Sequence, residues 1–366
     1  CATRWCVCAV VMSLLPWSGV AGCAGRSSVQ PARPAVEAAL TEEIAALLPP
    51  LMDSLHVPGV GVALIRDGAV AWTGSFGVKR AGGTDRVDAA TVFEAASMSK
   101  PVYTYPFMKL VEDGVIDLDT PLVRYLGRDY LDGDTLHRAI TARMVLAHTT
   151  GFPNWRGDDG LAVEFVPGTQ VGYSGEGFQY LQTVVEHVTG LRMDAFARER
   201  LFDPLGLSTA SYVWLDAYDT LAAWGHTAEG EPRPREPYTE PNAAYTLYVT
   251  PSDFARILIQ IMRPDAGAPH SLSEATRGLM LASQHVVPDR EPIARPGQAG
   301  GEVHFALGWR FDRTVDGDIY WHSGSNSTGF QCYAEFDPAT GDGIVIMTNS
   351  SSGSPLWRAV RSRLSL

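Results

Sequence analysis

Strand patterns lie at both ends of this 366-residue chain and helical patterns fill its middle, and that segregation narrows the fold more than any other feature. Near the N-terminus, Val60 to Ile65 and Ala69 to Trp72 flank Arg66-Asp67-Gly68, whose Asp-Gly pair supplies the positive φ of a tight hairpin. Apolar residues at helical spacing over Val36 to Leu55 precede it, with a break expected at Pro49-Pro50. Beyond about residue 303, strands are predicted at Phe305 to Phe311, Ile319 to His322, Phe330 to Phe336 and Gly343 to Met347, parted by turn signals such as Asp316-Gly317 and Gly341-Asp342-Gly343. A helix over Pro355 to Leu364 closes the chain. Between these ends, periodicity predicts helices at 98–113, 141–148, 176–189, 193–202, 251–263 and 272–283. The expectation is a mixed α/β fold of the α+β kind. One antiparallel sheet, built from the N- and C-terminal segments and flanked by helices, would carry an inserted helical lobe at about 97–290.

Hydrophobic residues make up 45% and charged residues 19%, enough apolar surface for a sizeable core. The net charge of -12 and the absence of any Lys/Arg cluster argue against a nucleic-acid partner. Residues 1–23 read as an export signal, with Arg4 ahead of an apolar run from Val7 to Val20 that is too short for a stable span. Val20-Ala21-Gly22-Cys23 resembles a bacterial lipobox, which would attach lipid, and thereby the membrane, at Cys23. Ordinary cleavage near Ala24 is the competing reading, and both place the protein in the periplasm or cell envelope. Residues 24–34 have a linker composition, leaving 35–366 as the folded domain. Only Cys23 and Cys332 remain after the signal, so no disulfide framework is expected, and Cys332 reads as a buried strand cysteine without a chemical role.

The lysines are Lys79, Lys100 and Lys109 alone, so a lysine inside a nucleophile motif stands out. Ser97-Met98-Ser99-Lys100 is such a motif: on a helix its i,i+3 spacing puts hydroxyl and amine on one face. A serine hydroxyl needs an adjacent base, and a desolvated lysine can have its pKa lowered enough to serve. A helix start at Ser97 would also aim backbone N–H groups at a developing oxyanion. Pro106, deeper in the helix, predicts a kink.

Further motifs follow in order: Leu146-Ala147-His148-Thr149-Thr150-Gly151, Tyr173-Ser174-Gly175 and His322-Ser323-Gly324. With Ser97-x-x-Lys100 they resemble the serine beta-lactamase and penicillin-binding protein-like superfamily, specifically its branch of class C beta-lactamases, D-alanyl-D-alanine carboxypeptidases and family VIII esterases. The resemblance implies a beta-lactamase/transpeptidase-like fold, Ser97 as nucleophile, Lys100 as base and Tyr173 as proton shuttle. It implies an oxyanion hole of the Ser97 and Ser325 backbone N–H groups, and substrate binding by His322, Ser323 and Gly324, which match the family's Lys-Thr-Gly. Two departures weaken a specialised beta-lactamase. His322 replaces the lysine and is mostly neutral at pH 7, and Gly175 stands where the family commonly has an asparagine. Glu176 reads either as a lysine partner or as an acid at a helix start, and His148 as structural.

No His-Glu-x-x-His, Cys-x-x-Cys or phosphate-cradling Gly-Lys loop appears, so no metal or cofactor is implied. Gly172-Tyr173-Ser174-Gly175-Glu176 fails as a Gly-x-Ser-x-Gly elbow at its last position. The reading is therefore a serine hydrolase forming an acyl-enzyme on a small-molecule ester, peptide or beta-lactam. Esters and D-amino-acid peptides are favoured over beta-lactams. The rival is a non-catalytic module that binds peptidoglycan or a partner on the same fold.

Overall fold

The computed structural model describes residues 33–288, 290–297 and 300–363. The expected export signal, Cys23 and the linker as far as residue 32 lie outside them. By its internal contacts the chain divides after Ala39. The first unit is described only over residues 33–39, the opening of a helix; the sheet, its two cores and the site belong to the unit from Leu40 onward.

Helices are α1 (Arg33–Leu55), α2 (Ser99–Glu112), α3 (Val123–Leu126), α4 (Ala142–Leu146), α5 (Gly175–Thr189), α6 (Met193–Ala197), α7 (Tyr218–Leu221), α8 (Pro251–Met262), α9 (Glu274–Leu281) and α10 (Gly353–Arg361). Strands are β1 (Gly59–Arg66), β2 (Ala69–Gly77), β3 (Phe93–Glu94), β4 (Tyr248–Val249), β5 (His285–Val286), β6 (Glu302–Phe305), β7 (Arg310–Thr314), β8 (Gly317–Asn326), β9 (Phe330–Asp337) and β10 (Asp342–Thr348). Eight of these strands form one antiparallel sheet in the order β2-β1-β10-β9-β8-β7-β6-β5, while β3 and β4 pair apart. The sheet joins the two ends of the chain at β1 and β10, where Val60 pairs with Thr348 and Ile65 with Gly343.

The period of two along each strand sorts side chains between two cores. Val60, Val62, Leu64, Ile344 and Ile346 pack with Ile44, Leu48 and Met52 of α1 and Leu356 and Trp357 of α10. Ala63, Ile65, Val345, Met347 and Phe336 face the helical lobe and meet Met98, Val102, Phe254 and Leu258. Each fully buried aliphatic or aromatic side chain contributes about 1.5–3 kcal/mol. Helix α2, which carries Lys100, is thus held against the sheet by the larger of these cores.

Three boundaries differ from the sequence reading. Helix α1 begins at Arg33, inside the expected linker, and continues through Pro49 and Pro50. Both prolines are exposed, as are Ala45 and Ala46, whose carbonyls lose their helical donors and can turn to water. Helix α2 includes Pro106, as the sequence reading has it. Residues 193–202 divide into α6 and a π-helical turn at Arg198–Phe202. The run Phe305 to Phe311 is the tip of a hairpin rather than one strand: β6 ends at Phe305 and β7 starts at Arg310. Its turn residues Ala306, Leu307 and Trp309 are buried, so an apolar run that resembles a core strand belongs to a turn packed on the lobe.

Candidate active site

Every residue from Thr91 to Met108 is buried except Ser97, which is partly exposed. A 3-10 turn, Ala96–Met98, carries it into α2. Ala96 holds φ +50°, a left-handed conformation that a residue with a Cβ adopts at some cost. The turn is fixed by Ser99, whose hydroxyl donates to Ala96 O (2.6 Å) and accepts from Leu247 N (3.0 Å), and by Ala95 N donating to Leu247 O (2.8 Å). Ser97 is therefore displayed by a strained, tied-down backbone.

Lys100 is fully buried, and its Nζ donates to Ala244 O at 2.9 Å and to Ser97 Oγ at 3.3 Å. Among the described residues no carboxylate pairs with it. Burial lowers its pKa, the Arg310 guanidinium adds to the lowering, and Tyr173 opposes it. The Tyr173 ring lies 4.8 Å from the Lys100 ammonium, and its enclosed hydroxyl makes no hydrogen bond of good geometry among the described residues. Burial alone would raise the Tyr173 pKa, but the Lys100 and Arg310 cations outweigh it and the net shift is downward. Lysine and tyrosine thus form a coupled pair, both shifted toward the deprotonated form that is able to accept a proton from Ser97.

Two histidines frame this pair. The His148 ring lies tilted by 30° against Tyr173 with ring centroids 4.3 Å apart and accepts from Ser174 N at Nδ1 (3.1 Å). His322 lies 6.3 Å from Tyr173, ring to ring, with Nδ1 2.8 Å from Ser323 O. Burial first, then the neighbouring cations, keeps both well below the ordinary histidine pKa. Neutral imidazoles are what remain, so His322 brings no fixed positive charge to the site.

Arg310 is one residue that sequence reasoning missed. It opens β7 and lays its guanidinium 5.0 Å from the Tyr173 ring, 5.0 Å from Phe305 and 5.3 Å from Trp321. Its pKa falls to about 10, chiefly through burial. No motif marked it.

Strand β7 pairs with β8 only as far as Trp321, which leaves residues 322–326 of β8 open on one edge, beside the Ser97 turn. The approach is close enough that a Cβ on Gly324 would sit 2.1 Å from Ala95 O, so only glycine fits there. Gly324 brings backbone to backbone. Ser323 pairs with Tyr333 across β9, which puts its side chain on the face turned away from the lobe. Ser97 and Ser325 line one cleft of about 520 Å³, together with Asn154, Trp155, Tyr238 and Tyr245.

Tyr173 precedes α5, whose N-cap Ser174 accepts from Gly177 N (3.0 Å). Gly175 is packed under the Trp155 indole: an added Cβ would lie 2.5 Å from that ring. Glu176 turns away from the lysine. It receives Arg156 Nε (2.9 Å) and Nη2 (2.6 Å), while Asn154 O accepts from Gly175 and Glu176 N–H groups at 3.0 and 3.2 Å. Both neighbours of Trp155 are thereby clamped to the start of α5. Behind the cleft, Glu94 accepts from Tyr238 (3.1 Å), Asn326 (3.0 Å) and Thr328 (2.6 Å). The thiol of Cys332 is buried and pushed up to about 12, chiefly by burial, so it is not a nucleophile. Among the described residues no cluster of three or more His, Cys, Asp or Glu is placed to hold a metal ion.

A family model described as Beta-lactamase matches residues 44–363. Penicillin-binding protein 4 of Amycolatopsis lactamdurans is 30% identical over 322 residues, covering 80% of this chain and 81% of that protein. Unguisins hydrolase ungD' of Aspergillus campestris is 25% identical over 351 residues, 86% of this chain; the chain spans 62% of that protein's length. Among solved structures, the D-alanine carboxypeptidase AmpC from Burkholderia cenocepacia superposes with a TM-score of 0.72 at 20% identity, over 89% of this chain and 99% of the other. The octameric penicillin-binding protein homologue from Pyrococcus abyssi gives 0.72 at 21% identity, over 88% and 76%.

Proposed function

This chain belongs to the Beta-lactamase family, and from that premise we propose that it is a serine hydrolase acting through an acyl-enzyme. The observation that carries this reading is the Ser97–Lys100–Tyr173 cluster, in which a buried lysine without a carboxylate partner donates to the serine oxygen. In the proposed reaction Ser97 Oγ attacks a carbonyl carbon while Lys100, coupled to Tyr173, takes its proton. The oxyanion is held by the backbone N–H groups of Ser97 and Ser325. As the tetrahedral adduct collapses, the carbon-to-leaving-group bond breaks and Tyr173 delivers the proton to the departing atom. Water then adds to the acyl carbon, gives up a proton to the same pair, and the acid leaves with Ser97 restored.

Esters and peptide-like amides rank first as substrates, D-amino-acid peptides next and beta-lactams third. Support comes from the site's charge: His322 is neutral, Arg310 is held against three rings, and no Lys or Arg side chain is among those lining the cleft. A substrate carboxylate has little to hold it there. Export and lipid attachment at Cys23 remain part of this proposal as the cellular setting.

The test is mass spectrometry after fluorophosphonate labelling, beside rates on a nitrophenyl ester and a chromogenic cephalosporin, for wild type and Ser97→Ala. Adduct and turnover that both vanish in the variant support the mechanism, and the faster substrate assigns the class. Labelling and hydrolysis that persist in Ser97→Ala would overturn it in favour of the non-catalytic binding module.

A further inference from the structure

We propose that the aromatic wall of the cleft is a subsite for a cationic group, an ammonium, on the acyl part of the substrate, with Trp155 and Glu236 as its specificity-determining residues. That the occupant is part of a substrate rests on the serine-hydrolase reading; the preference for a cation rests on the geometry and charge of the wall itself.

Trp155, Tyr245 and Tyr238 form a continuous wall. Successive ring centroids are 5.3 Å apart, and the planes stand at 86° and 87° to each other. Such an arrangement offers ring faces in different directions to one occupant, and a cation within about 6 Å of a ring face is attracted by its quadrupole. Glu236, exposed at the same cleft, is the one carboxylate among the lining side chains, the rest being hydroxyl, amide or aromatic. Glu236 thus favours a positive group at the exposed side of the wall, while the Lys100 ammonium, 5.9 Å from the Trp155 ring, already faces it on the Ser97 side.

The wall is built to hold its shape. Asn154 and Arg156 pin the Trp155 segment to the start of α5, and Gly175 makes room for the indole, which is itself 41% exposed. The Tyr238 hydroxyl donates to buried Glu94, and Asn326 joins Glu94 to the Tyr245 carbonyl. These ties fix the wall before a ligand arrives, and so reduce the ordering cost of binding.

The experiment compares kcat/KM for the p-nitrophenyl esters of 6-aminohexanoate, heptanoate and hemipimelate, which place an ammonium, a methyl and a carboxylate at matched reach. Wild type, Trp155→Ala and Glu236→Gln are measured, with Ser97→Ala as the control for turnover. Wild type is expected to prefer the ammonium ester over the neutral one by about tenfold, with the carboxylate ester last. The preference should fall toward unity in Trp155→Ala and by about threefold in Glu236→Gln. Ser97-dependent turnover that ranks the neutral or anionic ester first overturns the subsite while leaving the hydrolase reading intact. If no turnover depends on Ser97, the hydrolase reading is what fails, and the subsite is judged by fluorescence titration with choline and its neutral analogue 3,3-dimethylbutan-1-ol. Saturable choline binding that is stronger than the alcohol's and lost in Trp155→Ala upholds a cation site; equal binding of the two overturns it.

Discussion

The two faces of the sheet bury charge in opposite ways. On the face toward α1 and α10, Arg295 joins Asp312 (2.6 Å) and Glu335 (2.9 Å), Arg361 closes on Glu335, and the Tyr333 hydroxyl and Trp321 indole N–H complete the acceptors. Each carboxylate there meets a guanidinium. Toward the lobe, Lys100 is enclosed without an ion pair among the described residues, Arg310 reaches the Tyr173 ring from the start of β7 likewise without one, and Tyr173 is the acid set against both. A paired buried network stiffens a structure, whereas an unpaired buried cation is a cost that folding must offset elsewhere. Its retention beside Ser97 marks the place where a perturbed proton affinity has a use.

The sharpest break of this contrast is Lys100→Met. Activity on a nitrophenyl ester should fall by about a thousandfold or more. The urea midpoint should stay unchanged or rise, because an apolar side chain replaces a desolvated charge. A loss of stability comparable to the loss of activity would mean that the lysine is structural.

Glu335→Gln tests the other face and reverses the pattern. Arg295 and Arg361 lose their shared partner, and unfolding should become easier by about 3–5 kcal/mol, while kcat/KM of the folded protein changes by less than about threefold. The pKa of Glu335 is lowered in the folded protein: burial alone would raise it, but Arg361 and Arg295 outweigh burial. Its contribution is accordingly present above the carboxylate's unfolded pKa and lost as pH falls through the lower folded value. Acid unfolding monitored by circular dichroism should therefore begin at higher pH in the variant.

What the sequence made legible divides along similar lines. Ser97 and Lys100 sit three residues apart, so local spacing brought them forward, whereas Tyr173, His322 and Ser325 were named through the resemblance of short motifs to the family's. Arg310 and Trp155 act through distant chain segments: one reaches Tyr173 from β7, the other covers Gly175 from a loop. The signal that could have found Trp155 was the glycine itself, a missing side chain that implies another group fills the space. The sheet was readable because strand signals cluster at the termini. The hairpin at 305–310 was not, because its turn is as apolar as a strand.

Arg310→Gln should give a smaller effect, read as a shift of the pH profile. The Arg310 cation holds down the proton affinities of both Tyr173 and Lys100. Without it both rise, so the acidic limb of kcat/KM should move to higher pH by about half a unit to one unit. An unmoved limb would separate Arg310 from the proton pair. The smallest expected effect concerns stability. The folded-state pKa of Lys100 is lowered, so its penalty is greatest at low pH and fades as pH rises toward the unfolded lysine value. The stability gap between Lys100→Met and wild type should narrow accordingly between pH 7 and 10.

Strand β10 lies between β1 and β9, so an interior position of the sheet is filled by the last of its strands to be synthesised. Its partner β1 is far away in sequence, as the pairing of Val60 with Thr348 shows. High contact order of this kind slows folding and makes it cooperative with chain completion. A ribosome-bound chain that stops short of residue 342 has made Ser97, Lys100 and Tyr173 but lacks the strand that joins the two halves of the sheet beneath them. The sheet against which the Ser97 turn packs is thus complete only once β10 has been made.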